Sequence, residues 1–346
     1  MTFPLTWEGR KSNVPEEAPL PISSPDAESS DTRDTLADLG EFGLISRVTA
    51  GRAQPSGTVL GPGDDAAVVA APDGRVVACT DVLVEGVHFR LDWSTPEQVG
   101  RKAAAANLAD VAAMGAVPTA LLVGLACPSS TPVATCEGLA DGLWAEAAVV
   151  GVGVVGGDVA SAAQLVVSVT ALGSLEGREP VTRSGARPGD IAAMCGRIGW
   201  AAAGLAVLGR GFRSPVAVVG AHRVPEPPYP AGPQAALAGA TSMIDVSDGL
   251  LADLGHVARA SGVVVDVRSS AFEVPARLVD VGRALGVDPL HWLLTGGEDH
   301  ALVATFPGAP PEGWTPIGVV REGAAQVLVD GRVYDGGPGG WDHFAR

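Results

Sequence analysis

Residues 61–69 read GPGDDAAVV, so two carboxylates, Asp64 and Asp65, stand side by side after a Gly-Pro-Gly turn. A solvated turn accounts for one such pair, since aspartate is a common turn residue. Further acids recur where other elements are expected to end. Asp81 closes the strand-like VVACTD, beside Thr80. Asp110 lies in NLAD, three residues after Asn107, so the two share one face of a helix. Asp158 ends VVGGD, Asp245 and Asp248 occupy IDVSDG, and Glu298 and Asp299 sit in TGGED. Each has a local reading: Ser247 or Asp248 caps a helix, Asp158 serves a glycine turn, Asp110 is a hydrogen-bonded core carboxylate.

As a set they imply different chemistry. Two unit charges about 4 Å apart repel by roughly 4 kcal/mol at an effective dielectric of about 20. A convergent group must therefore protonate, disperse or hold cations. Oxygen donors with no His or Cys spacing nearby favour Mg²⁺ over zinc or copper. Mg²⁺ held by carboxylates and completed by phosphate oxygens belongs to phosphoryl transfer. Gly156 and Gly157 would let a phosphate approach backbone N–H groups closely. Only Lys11 and Lys102 of the 23 basic residues are lysines, the rest being arginines. Arg183 in TRSG is thus the candidate cation for a phosphate, set against its reading as an exposed linker residue. The chain has no GxxxxGK[ST] loop and no protein-kinase signature set.

The elements that must position these groups are legible in outline. Residues 1–34 are rich in Pro, Ser, Asp and Glu without periodicity; a disordered tail is assigned to 1–38. Folded sequence is expected from EFGLISRV at 41–48, with strands at 66–70, 76–84, 119–126 and 164–173. TPEQ at 95–98 opens a helix: Thr95 as N-cap, Pro96 at the first position, Gln98 closing a capping box. Gly115 ends that helix, and a second runs over about 132–148. The Pro/Gly-rich stretch 178–190 separates a domain at 39–177 from one at 178–346. In the second, a helix at 198–209 and a proline cluster precede a strand–turn–helix–strand unit from SMIDV to VVVDV. Such succession predicts mixed α/β layers.

Bulk properties narrow the function. A net charge of −16 opposes a nucleic-acid binder. Cys79, Cys127, Cys136 and Cys195 are scattered and read as reduced structural thiols of a cytoplasmic protein, with neither zinc nor disulfides. The opening residues have no apolar signal-peptide core, and no charge-free apolar run is long enough to span a membrane.

GDDAAVV, TDVLVEGVHF, NLADVAAMGAVP, GGDVA, TRSGARPGD, IDVSDGLLADLGHVARASG and TGGEDHALVATF follow one another in this order. From about residue 40 to the end, the chain resembles the thiamine-monophosphate kinase family, within the superfamily of aminoimidazole ribonucleotide synthetase, selenophosphate synthetase and a hydrogenase-maturation protein. The resemblance implies a two-domain α/β fold of the aminoimidazole ribonucleotide synthetase type, its N-terminal sheet pairing across a homodimer. It implies ATP as co-substrate, several Mg²⁺ ions and thiamine monophosphate as phosphoryl acceptor. By motif, Asp65, Thr80, Asp81, Asp110, Asp158, Asp245 and Asp248 would be metal ligands, with Asp65, Asp110 and Asp248 central to catalysis. Gly157, Asp158, Arg183 and Ser247 would serve ATP; His88, Glu298 and Trp341 would face thiamine phosphate. Cys79 departs from the family's usual hydroxyl residue before Thr-Asp. Another ATP-using member of the superfamily, or a non-catalytic nucleotide- or metal-binding regulator, is the alternative. The missing reactive loop before GDD and the absent terminal Cys disfavour two such members.

Overall fold

The computed structural model describes residues 35–54, 56–62, 66–337, 339 and 340. Of the tail assigned to 1–38, residues 1–34 lie outside the described residues, as do the Asp64–Asp65 pair and Trp341, while residues 36–38 are not disordered but helical, capped by Thr35. The described chain starts with α1 (Leu36–Leu39) and α2 (Glu41–Thr49), then a ribbon of β1 (Thr58–Leu60) against β2 (Val68–Val69). There follow β3 (Val77–Val84), α3 (Pro96–Ala113), β4 (Val117–Cys127), α4 (Val133–Val149), β5 (Val154–Ser161) and β6 (Val166–Ser174). These strands form a sheet in the order β3-β6-β4-β5, antiparallel except for β4 with β5.

Helix α3 begins as its sequence dictates. Thr95 Oγ1 accepts from the Gln98 N–H at 3.3 Å, and Gln98 Oε1 accepts from the Thr95 N–H at 3.0 Å. Gly115, at φ 72°, turns the chain out of the helix. α3 packs on β3 and β6. Side chains alternate along β3, so Cys79, Asp81 and Leu83 point toward α3 while Ala78, Thr80 and Val82 stand on the uncovered face.

The second layer pair comprises β7 (Ile191–Cys195), α5 (Trp200–Gly209), α6 (Val216–Arg223), α7 (Ala231–Leu237), β8 (Ser242–Val246), α8 (Leu250–Ser261), β9 (Val264–Val267), α9 (Ala276–Leu285), α10 (Pro289–Thr295), β10 (Ala301–Phe306), β11 (Thr315–Arg321) and β12 (Gln326–Val329). Its sheet runs β12-β9-β11-β7-β10-β8, antiparallel except for β12 with β9. β8 and β10 are buried along their whole length, which is why ALVATF shows no polar alternation. Residues 178–190 lie between the last strand of one sheet and the first of the other. α3 also touches β8, β10 and α7, so one helix is shared by both sheets.

Two acids sit differently from their expected places. Asp81 does not close its strand, because β6 continues to pair with β3 through Val84. Asp158 does not follow a strand end. β4 supplies partners to Gly156, Gly157 and Asp158, and β5 runs on to Ser161.

Candidate active site

Three carboxylates from three elements meet where α3 reaches the larger sheet. Asp81 comes from the middle of β3, Asp110 from the last turn of α3, and Asp245 from the end of β8. Burial pushes the Asp110 carboxyl up to about 7, and the charges of Asp245 and Asp81 push the same way. Burial also raises Asp81, with Asp245 adding to the effect, while a hydrogen bond to Asp110 works against it. One nearby cation is His300, whose Nδ1 lies 3.0 Å from Asp245 Oδ2, and His88 also acts on Asp81. Burial disfavours the charged imidazole there. The Asp245 hydrogen bond and the charges of Asp245 and Asp110 outweigh that and hold His300 above its ordinary value.

Asn107, one turn before Asp110 and fully buried, fixes β3 to the helix. Its Oδ1 accepts from the Asp81 N–H at 3.0 Å and its Nδ2 donates to the Ala103 carbonyl at 3.0 Å. Cys79 donates its thiol to the Asn107 carbonyl at 3.3 Å. Burial and the charges of Asp110 and Asp81 raise its pKa, so the thiol stays protonated.

The SDG and TGGED loops assemble the rest by backbone contact. Glu298 N–H donates to the Ser247 carbonyl at 2.8 Å, and His300 N–H to the Val246 carbonyl at 3.0 Å. A Cβ on Gly297 would stand 2.2 Å from the Ser247 carbonyl oxygen, and one on Gly249 2.4 Å from that of Thr295. Only glycine permits this approach. Glu298 and His300 both adopt left-handed backbone, at φ 66° and 54°, a strain that the two flanking hydrogen bonds hold in place. Asp253 braces the SDG turn, its Oδ2 accepting from the N–H groups of Asp248 and Gly249, each at 3.1 Å. Burial raises its pKa to about 7, helped by Asp245 and Asp248.

Beside the acids lies a compensated cluster. Glu298 Oε1 takes a 2.9 Å salt bridge from Lys102 Nζ, and its Oε2 lies 3.2 Å from His222 Nδ1. Burial alone would raise the Glu298 pKa, but Lys102 and His222 together hold it well below the usual carboxylate range. Lys102 is 5% exposed and donates a second bond, 3.1 Å, to the His88 carbonyl. His88 Nδ1 in turn accepts from the Val84 N–H at 3.0 Å.

The remaining expected residues are dispersed. Thr80 points to the uncovered face of its sheet, where it donates to the Val169 carbonyl at 3.0 Å and accepts from Thr170 Oγ1 at 3.0 Å. Register places Asp158 opposite Gly124, and Gly124 opposite Ser168, so its side chain shares that uncovered face. Neither side chain joins Asp81 and Asp110. Gly157 is exposed, as is Arg183, whose charge and that of Asp248 both act on His256. Asp299 turns away from Glu298: it is buried, and its Oδ1 accepts from the Ala201 N–H at 3.0 Å at the start of α5. Gly339, just before the Gly340–Trp341 pair, accepts a 3.1 Å bond from the Ala252 N–H, which brings the chain to the start of α8.

His300, Asp253, Lys102 and His222 were not among the candidates from sequence. His300 follows the ED pair directly, and Lys102 stands alone among the arginines of the folded part. Those were the available signals. Among the described residues, no three His, Cys, Asp or Glu side chains enclose a metal ion unaided. The acids instead suit a cation that draws further ligands from phosphate and water.

Comparison with known proteins agrees with this layout. Residues 63–175 match the family described as AIR synthase related protein, N-terminal domain. The chain is 53% identical over 313 residues to the thiamine-monophosphate kinase of Mycobacterium tuberculosis, covering 90% of this chain and 94% of the relative. It is 44% identical over 303 residues to that of Corynebacterium glutamicum, covering 85% and 90%. A solved structure of AaThiL complexed with AMPPCP and TMP superposes with a TM-score of 0.73 at 32% identity, over 88% of this chain and 97% of that one. Sequence, fold and the gathered acids together place this chain in the thiamine-monophosphate kinase family.

Proposed function

We propose that the chain phosphorylates thiamine monophosphate to thiamine diphosphate at the expense of ATP, by direct in-line transfer. One observation carries the mechanism: Asp81, Asp110 and Asp245 are drawn together, with His300 and His88 the compensating groups that act on them. The donor set is all oxygen and its charges are in excess, which fits Mg²⁺. Asp81, Asp110, Asp245 and Asp248 would hold it, with Asp65 added by the family resemblance, whereas Thr80 and Asp158 stand on the other face of their sheet. When bound, several such ions neutralise phosphate charge and align the reacting oxygens.

The chain's own side chains do the positioning. His300 orients the Asp245 carboxylate through the 3.0 Å bond. Asn107 holds the Asp81 backbone against α3. Gly157, Arg183 and Ser247 serve the nucleotide, and His88, Glu298 and Trp341 the acceptor. The acceptor phosphate is already ionised, so no strong general base is needed and catalysis rests on placement and charge.

The domain division at about 177–178 belongs to the same proposal, as does a homodimer built on the uncovered face of the four-stranded sheet. Ala78, Thr80 and Val82 are exposed there. So does a cytoplasmic setting: no described helix is long and apolar enough to cross a membrane. ATP, Mg²⁺ and thiamine monophosphate incubated with the purified chain should yield thiamine diphosphate and ADP in equal amounts by chromatography. Nucleotide binding with no thiamine diphosphate would overturn the catalytic reading in favour of a binding protein.

A further inference from the structure

The acceptor side of the site contains a charge arrangement that the transfer chemistry does not itself require. Lys102 is buried on α3, away from the carboxylates at the other end of that helix, and is 5% exposed. Its ammonium reaches two groups from distant parts of the chain: Glu298 Oε1 at 2.9 Å and the His88 carbonyl at 3.1 Å. Glu298 is only partly buried, and its second oxygen faces the buried His222 of α6 at 3.2 Å. His222 is itself backed by Trp93, whose ring meets it edge-on at 6.4 Å.

Stability alone does not explain the arrangement. Replacing a buried ion pair by packed apolar side chains is often neutral or stabilising. The choice of cation is also informative. This chain uses arginine almost everywhere, with Lys11 and Lys102 its two lysines. A guanidinium is a wide planar fork, whereas an ammonium is a compact donor that can serve two acceptors in different directions. The site needs the latter shape, because its two acceptors come from the loop after β3 and the loop after α10.

We propose that Lys102 is a positioning residue for the phosphoryl acceptor, clamping the His88 loop and the Glu298 loop at a fixed separation while the His222 ring lies against the other edge of Glu298. The inference rests on the reading of His88 and Glu298 as acceptor residues. Glu298, with one oxygen engaged by the Lys102 ammonium and the other facing the His222 ring, then meets the substrate as an oriented hydrogen-bond acceptor, its charge largely spent within the protein. Misplacement of either loop loosens the acceptor and leaves nucleotide binding alone.

The test is steady-state kinetics of the full chain with each substrate varied in turn. Lys102→Met should raise the KM for thiamine monophosphate about tenfold or more while the KM for ATP stays within about twofold. Lys102→Gln, which keeps one hydrogen bond, should fall between it and the parent. Glu298→Gln should raise the same KM, and the double variant should lose less than the product of the two single losses, as expected of groups acting as a unit. The double variant also removes the uncompensated carboxylate, so it keeps the test open if Lys102→Met does not fold. A parallel rise in both KM values, an unchanged acceptor KM in any folded Lys102 variant, or losses that multiply would overturn the clamp. An unchanged acceptor KM in Glu298→Gln would instead overturn the acceptor-site reading on which it rests.

Discussion

One helix carries two opposite treatments of charge. Early in α3, Lys102 meets Glu298, and His222 completes a cluster whose charges cancel within the protein. About two turns further along, Asp110 meets Asp81 and Asp245, and their charges do not cancel. The first end is finished on folding. The second is left with an excess, and it is there that the proposed cation would bind. On that proposal, preorganised recognition and cation-dependent chemistry divide between the ends of a single element.

Asp110→Asn attacks the unfinished end and should have the largest effect. Turnover should fall by about a hundredfold or more, since a charged group acting on the reacting phosphates is lost. The fold should survive, and the metal-free variant should melt higher than the parent by about 2 °C or more, because a repelled half-buried carboxylate is gone. An active variant with unchanged Mg²⁺ dependence would remove the acids from the mechanism.

Magnesium should act on the same end without any mutation. At a free concentration about ten times its Kd, a ligand of the native state adds roughly 1.4 kcal/mol of stability, visible as a melting shift of a few degrees. That shift should vanish in Asp110→Asn and persist in Lys102→Gln. A shift retained in the first and lost in the second would reverse the division proposed here.

The pH dependence is a smaller effect of the same cause. Asp110 is raised to about 7 in the folded chain from an ordinary 3.8. The folded state therefore binds a proton that the unfolded state releases as pH rises through that window. Its stabilising contribution is complete below the lower value and is lost as pH climbs toward the upper. With chelator present, Asp110→Asn should gain on the parent in melting temperature between roughly pH 4 and about pH 7 and hold that gain above it. Asp253 and Asp299 are each also raised to about 7, so the comparison must be parent against variant and not the parent alone. The smallest expected change is Thr80→Val. Its hydroxyl lies on the far side of the sheet from Asp81, so turnover should stay within about twofold of the parent.

Much of the framework was legible beforehand. The TPEQ box specified the start of α3, Gly115 its end, and VVACTD a strand, because these signals act within a few residues. Motif order gave the family. The partition of the acids was not legible. Whether Thr80 joins Asp81 depends on which face of β3 the helix covers, and adjacent strand residues point opposite ways. Asp158 was misplaced because Gly-Gly-Asp reads as a turn, whereas pairing with β4 keeps it in the ladder. Lys102 was hidden for another reason. Its partners, Glu298 and the His88 carbonyl, are far away in sequence, and no local pattern announces a contact made by folding.

Because α3 touches both sheets, it also serves as a ruler. Lys102 and Asp110 are eight residues apart on it, about 12 Å along the axis at 1.5 Å per residue. On the proposed reading, the fittings for the arriving molecule and those for the departing phosphoryl group would be graduated on one rigid rod. A substrate whose ring and phosphate do not match that length would be gripped at one end and missed at the other.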